Sequence, residues 1–285
     1  MSNKSKLESI LNDKILEEIP VSGGCINNTG IIITLTGKKY FVKTNSGSQY
    51  KMFINEANGL KEISRANVIR VPGVIYADEE MILLEAILPG KVNKDFFEDF
   101  GRKFARLHRF TSAKYGFYEN NYIGSTPQIN IPAVDEENDW ARFYFNKRLK
   151  YQFELAEKNG FITPDLKKYF SQLEEKIESI IRTDEKPSLL HGDLWSGNFI
   201  PDETGSVCLI DPAVYYGNRE ADLAMTKLFG GFSDLFYSAY NEEFPPEPGY
   251  QYRENIYKLY HVFNHLNLFG RSYYQQAVSL IRFYL

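Results

Sequence analysis

The sequence predicts an α+β fold in which a small β-rich N-lobe precedes a larger, mainly helical C-lobe. Three observations predict it. β-branched and aromatic runs bounded by turn residues cluster before Leu88-Pro89-Gly90, where the pattern breaks. Beyond that break, apolar residues recur mostly at three- and four-residue spacing, the period of a helix with one buried face. The length of 285 residues, with 43% hydrophobic and 25% charged side chains, suffices for two cores and is ordinary for a globular chain. The boundary follows, with an N-lobe over 1–87 and a C-lobe over 88–285.

Within the N-lobe, Leu7, Ile10, Leu11, Ile15, Leu16 and Ile19 stand at helical spacing, so a helix over 7–19 is expected, ended by Pro20. Runs at 31–35 and 40–43 flank a turn containing Gly37, a hairpin signature. Between 49 and 65, Met52, Phe53, Ala57, Leu60 and Ile63 define a helix that contains Glu56, and 74–76 with 81–85 read as a strand pair. In the C-lobe, Phe96, Phe100, Phe104 and Leu107 share one face of a helix over 95–110. Residues 115–132 read as loop from their Gly, Pro and Asn content. Further helices are expected over 139–157, 164–182, 221–230, 254–269 and 272–284.

The net charge of −4 and a pI near 5.7 argue against a nucleic-acid partner, which requires a basic stripe. The first residues, MSNKSKLESILNDKI, hold no apolar secretion segment, and no run of about 18 uncharged apolar residues could cross a bilayer. A cytoplasmic chain without membrane partners is therefore expected. Cys25 and Cys208 make neither a disulfide framework nor a CxxC metal pair, and Cys208, inside a buried-strand pattern, reads as a small hydrophobe.

The chemistry is concentrated in His191-Gly192-Asp193-Leu194-Trp195-Ser196-Gly197-Asn198, followed by the strand signal Val207-Cys208-Leu209-Ile210 and then Asp211. A lone loop aspartate is commonly a turn former or cap. Here Asp193 can take a proton from an attacking hydroxyl, while Asn198 and Asp211 offer hard oxygen ligands for the Mg²⁺ that bridges the phosphates of ATP. His191 reads as a packing residue of the loop, because the aspartate already fills the base role. Lys43, at a strand end, can reach phosphates, and Glu56 thirteen residues later would pair with it, as in kinase-type sites. Gly23, Gly24 and Cys25 form a shortened glycine loop, and Glu85 and Ile87 complete the expected nucleotide contacts.

The stretch 190–232, LHGDLWSGNFIPDETGSVCLIDPAVYYGNREADLAMTKLFGGF, resembles the fructosamine 3-kinase (ketoamine kinase) family, within the aminoglycoside-phosphotransferase-like small-molecule kinases. The likeness extends to Ser22-Gly23-Gly24-Cys25-Ile26, Phe41-Val42-Lys43, Ile123-Gly124-Ser125-Thr126-Pro127-Gln128 and Tyr260-His261-Val262-Phe263-Asn264-His265-Leu266-Asn267, so it covers nearly the whole chain. It implies a two-lobed protein-kinase-like fold and MgATP-dependent phosphorylation of a sugar hydroxyl of ketoamines, such as ribulosamines or fructosamines, free or protein-bound, at the third carbon. A same-fold alternative is an aminoglycoside or other metabolite phosphotransferase; a different-class alternative is a catalytically silent nucleotide-binding protein, which the presence of Asp193, Asn198, Asp211 and Lys43 disfavours.

For the acceptor pocket, Trp195, Trp140, Arg219, Gly231, Phe232, Asn264 and His265 are candidates, since aromatic faces bind sugar rings while amides and guanidinium groups address hydroxyls. The residues of the late helix would equally continue a core stripe. Asp222 is expected to cap its helix or brace the catalytic loop. Position 218 is usually His in the family and is Asn218 here, a hydrogen-bonding group that carries no charge. Cys25, among backbone amides and near Lys43, is a redox candidate, which leaves a monomer or a redox-linked homodimer open; simple packing is the plainer reading.

Overall fold

In the computed structural model, which describes residues 3–21, 28–45 and 51–285, the chain opens with α1 (Asn3–Leu11), β1 (Ile15–Pro20), β2 (Asn28–Thr34) and β3 (Lys39–Thr44). There follow α2 (Met52–Arg65), β4 (Val74–Ala77) and β5 (Met81–Glu85). The five strands form one sheet in the order β1-β2-β3-β5-β4, antiparallel throughout. The helix expected over 7–19 is corrected: it stops at Leu11, where Asn12 turns left-handed at φ 49°. Ile15–Pro20 instead pairs with β2, from Ile15 opposite Thr34 to Pro20 opposite Gly30. A short apolar run with two isoleucines fits either period, and the pairing with β2 decides. On one side of the sheet α2 buries Phe53, Ala57 and Leu60 against Ile82 and Leu84.

The second part begins with α3 (Phe96–His108), whose Phe96, Phe100, Phe104 and Leu107 are all buried as their spacing requires. The segment expected to be loop contains a small hairpin, β6 (Asn121–Ile123) with β7 (Thr126–Gln128). The helix expected over 139–157 is continuous but built of α4 (Trp140–Tyr144), a π-helical stretch (Phe145–Lys150) and α5 (Tyr151–Lys158). That expected over 164–182 divides into α6 (Pro164–Glu174), capped by the Thr163 hydroxyl, and α7 (Ile177–Ile181).

Two short antiparallel pairs then frame the centre of the molecule: β8 (Ser188–Leu190) with β11 (Tyr215–Gly217), and β9 (Phe199–Pro201) with β10 (Val207–Leu209). The chain closes with α8 (Glu220–Leu228), α9 (Asp234–Glu243), α10 (Tyr250–Phe269) and α11 (Tyr274–Arg282). α9 has no counterpart in the sequence reading; it is capped by Ser233 and packs on α3. α10 runs through the interior, with Ile256, Tyr257, Leu259, Tyr260, Phe263 and Leu266 buried. Cys208 is fully buried in β10, and burial pushes its thiol up to about 12, as befits a packing residue. Among the described residues no helix is long and apolar enough to cross a membrane.

Two consequences of this packing are measurable. α3 and α9 approach so closely at Gly101 that a Cβ there would lie 2.2 Å from the Phe236 carbonyl oxygen. Gly101→Ala is expected to destabilise the fold by about 2 kcal/mol or more, read by urea denaturation, despite the better helix propensity of alanine. His261, 4% exposed in α10, is held neutral because burial lowers its pKa from 6.5 to about 3. The native state therefore refuses a proton that the unfolded chain accepts below pH 6.5, so the stabilisation is complete above that pH and is lost toward pH 3. Between pH 6.5 and 5 this group should remove about 2 kcal/mol, and His261→Gln should flatten the stability profile by that amount.

Candidate active site

The loop from His191 to Asn198 leaves β8 and is fixed from beneath by one carboxylate. Asp222, in the first turn of α8, accepts the amide hydrogens of His191 at 2.7 Å and Gly192 at 2.9 Å, one on each oxygen. His108 of α3 donates from Nε2 to the same carboxylate at 3.3 Å, with Nδ1 at 2.7 Å from the Tyr240 hydroxyl. Burial alone would raise the pKa of Asp222, but its bonds with His108 and Gly192 and the nearby imidazoles hold it below the usual carboxylate range. Gly192 is required at its place: its φ is +82°, and a Cβ would lie 2.0 Å from the Ala213 carbonyl oxygen.

Within the loop the polar groups are committed to one another. His191 donates from Nε2 to the Ile210 carbonyl at 3.0 Å and accepts the Asp193 amide on Nδ1 at 3.3 Å; burial lowers its pKa, which keeps it neutral. Asn198 donates from Nδ2 to the Asp193 carbonyl at 2.7 Å and to its carboxylate at 3.2 Å. The Ile210 amide bonds to the Asn198 carbonyl at 3.1 Å and the Ala213 amide to the His191 carbonyl at 2.8 Å, which sews the loop to the segment carrying Asp211. Burial raises Asp193 well above the ordinary carboxylate range, and the neighbouring Asp211 charge adds to it. Asp193 is thus a half-buried carboxylate with an unusual readiness to hold a proton.

Lys43 comes to this centre from β3. Its ammonium lies 2.8 Å from Glu56 of α2 and is ion-paired with Asp211. Burial opposes the charge on Lys43, which is 6% exposed, but the two carboxylates more than offset this and hold it protonated. Asp211 sits at φ 54°, a left-handed conformation uncommon outside glycine. α2 is pinned beside it: Gly59 packs on Val214 and Pro212, Glu62 accepts the Tyr216 hydroxyl at 2.7 Å, and Asn58 donates to Glu119 at 2.9 Å. The Oδ1 of Asn198 and the second oxygen of Asp211 have no protein partner among the described residues. That donor set fits Mg²⁺, which takes few protein oxygens and completes its octahedron with phosphates and water.

The remaining sequence candidates divide. Gly23, Gly24 and Cys25 lie outside the described residues. Glu85 ends β5 with its carboxylate bonded to Arg70 at 2.6 Å and the Gly73 amide at 3.1 Å. Ile87 is half-buried in the segment that follows β5. Trp195 is 38% exposed, and His265 is half-buried. Trp140 is not a pocket residue; it is 2% exposed, stacked among Tyr115, Phe143 and Tyr144, with its indole N–H on the Tyr257 hydroxyl at 3.1 Å. Arg219 is likewise interior, its donors consumed by Glu185 and the Phe244 and Pro245 carbonyls and its guanidinium 3.6 Å from the Phe244 ring centre. Phe232 joins an aromatic cluster with Phe97, Phe100, Phe199 and Phe236, and Gly231 makes a turn at φ 76°. Asn264 is fully buried, accepting from Gln152 at 3.2 Å, with Nδ2 unpartnered. Asn218 accepts the Glu220 amide at 2.8 Å, a neutral capping task that an amide performs without charge.

Three contributors escaped the sequence reading. His108 is one, signalled only as a histidine on the apolar face of α3. Asn121 and Gln128, the latter named only within a segment of family likeness and given no role, are the others: buried amides that bind the Val214 and Ala213 carbonyls. Polar amides in a segment rich in turn residues gave little hint of burial.

Residues 2–285 match the family described as Fructosamine kinase. The chain is 42% identical to a "Probable ketoamine kinase" of Synechocystis, over 94% of this chain and 90% of that one. It is 39% identical to the "Protein-ribulosamine 3-kinase, chloroplastic" of Oryza sativa subsp. indica, over 95% of this chain and 80% of that one. A crystal structure of a "putative fructosamine-3-kinase" from Thermobifida fusca superposes with a TM-score of 0.90 at 26% identity, covering 99% and 98% of the two chains. The aminoglycoside phosphotransferase APH(2'')-Ib, ADP-bound, shares the fold with a TM-score of 0.64 at 14% identity, covering 99% and 98%. The architecture is therefore the two-lobed α+β fold of protein-kinase-like phosphotransferases, and the chain belongs to the fructosamine kinase family of ATP-dependent kinases.

Proposed function

We propose that the protein transfers the γ-phosphoryl group of MgATP to the 3-hydroxyl of a ketoamine sugar, with ribulosamines as the preferred class. The observation that carries this reading is the convergence of Asp193, Asn198, Asp211 and Lys43 in one cleft of a fructosamine kinase family member. The names of the relatives, ketoamine kinase and ribulosamine 3-kinase, support the substrate class and the position on the sugar.

In this reading Lys43, kept charged and oriented by Glu56, contacts the phosphates. Asn198 and Asp211 hold Mg²⁺, which when bound neutralises charge on the transferring phosphoryl group. Asp193 accepts the proton of the attacking hydroxyl. The Asn198 side-chain amide keeps the Asp193 carboxylate aimed, and Trp195 offers a ring against which the sugar can lie.

Asp193→Asn should lower turnover by about a hundredfold or more while MgATP affinity stays within about twofold, measured by ADP release and calorimetry. Near-normal turnover in a folded variant would remove Asp193 from the base role. On a substrate panel, ribulosamines should stimulate ADP release more than fructosamines, and kanamycin-like aminoglycosides should not stimulate it; preferential turnover of an aminoglycoside would favour the metabolite-kinase alternative.

A further inference from the structure

A strip of aromatic rings leads away from the loop that carries Asp193. Trp195, two positions after Asp193, meets the Phe229 ring edge-on at 6.3 Å. Phe229, at the end of α8, lies 4.8 Å from His265 of α10, which lies 5.4 Å from Phe269 and 5.1 Å from Tyr273. Phe269 is 54% exposed, and Phe229, His265 and Tyr273 are half-buried, so one edge of the strip faces solvent. Single exposed aromatics need no explanation, but five rings in an unbroken series that starts beside a catalytic carboxylate do.

Resting on the ketoamine reading, we propose that this strip is the track for the amine-bearing arm of the substrate, namely the lysine side chain and adjoining backbone of a glycated polypeptide. With the 3-hydroxyl at Asp193, the amine nitrogen is three bonds from the third carbon (C3–C2–C1–N), so the arm it carries starts next to the loop that holds both Asp193 and Trp195. The linking secondary amine is a cation and a hydrogen-bond donor near neutrality, and ring faces attract cations. His265 donates Nδ1–H to the His261 carbonyl at 2.8 Å, which leaves Nε2 as a lone-pair acceptor without a protein partner among the described residues. Burial lowers its pKa and keeps that lone pair free. A lysine stem spans only about 6 Å. Phe269 and Tyr273 stand three ring contacts away from Trp195, which makes them the members of the strip placed to meet the polypeptide rather than the sugar.

The test compares two acceptors bearing the same ribulose adduct, one on methylamine and one on a lysine within a peptide, with MgATP and ADP release as readout. Phe269→Ser and Tyr273→Ser should each raise KM for the peptide about five- to tenfold, with its kcat and the kcat/KM of the methylamine adduct changed by less than about twofold. Phe269→Leu, which keeps bulk without the ring, reports the same contrast should a serine variant lose thermal stability. Equal losses on both adducts, or an unchanged KM for the peptide, overturn the track while leaving the kinase reading in place. Turnover of neither adduct by the unmodified enzyme overturns the ketoamine reading, and the track falls with it.

Discussion

One buried carboxylate organises the centre of this protein. Asp222 receives two consecutive backbone amides, from His191 and Gly192, and the imidazole of His108. An ionised group taken out of water is costly unless its lone pairs are filled, and three donors fill them. The consequence is positional: the loop that presents Asp193 is anchored to the first turn of α8 and, through His108 and Tyr240, to α3 and α9. Packing alone would leave the loop free to slide, whereas directional bonds to a fixed carboxylate leave it one geometry.

A second cluster adjoins it, in which Lys43 stands between Glu56 and Asp211. Each of its members comes from a different element, so the cluster exists only when β3, α2 and the segment after β10 are in place together. Asp211 is held in a left-handed conformation worth about 1–2 kcal/mol of strain, persisting because the ion pair with Lys43 and the neighbouring backbone bonds over-determine it. α2 is fastened to the same segment by the Gly59 contact and the bond between Tyr216 and Glu62, which removes freedom for the helix to swing Glu56 away from Lys43. These contacts fix Lys43, Glu56 and Asp211 relative to one another, as phosphoryl transfer by positioning requires.

Much of this was legible in the sequence because the chemistry confines its residues. Residues of one short loop are brought together by the chain itself, so the cluster of His191, Asp193 and Asn198 with the following Asp211 was visible in the sequence. Lys43 and Glu56 were legible as a strand-end lysine followed by a helical glutamate. Other positions depended on partners far along the chain. Arg219 and Trp140 have the chemistry of sugar-binding residues, and only Glu185, Phe244 and Tyr257, distant in sequence, make them interior. The strand Ile15–Pro20 was misread because six residues fit both periods, and α9 was missed because its buried residues, Phe236, Ala239 and Tyr240, make too sparse a stripe.

In the proposed reaction a single carboxylate, Asp193, receives the proton of one acceptor hydroxyl, and the proposal stands on which hydroxyl that is. The most direct measurement is the position of the new phosphoester after a ribulose-modified lysine peptide is incubated with the protein and MgATP, read from phosphorus–proton coupling in NMR spectra of the product. The account expects one phosphoester, coupled to the proton on the third sugar carbon; a phosphoester on another carbon, or ATP consumption without any sugar phosphoester, would contradict it.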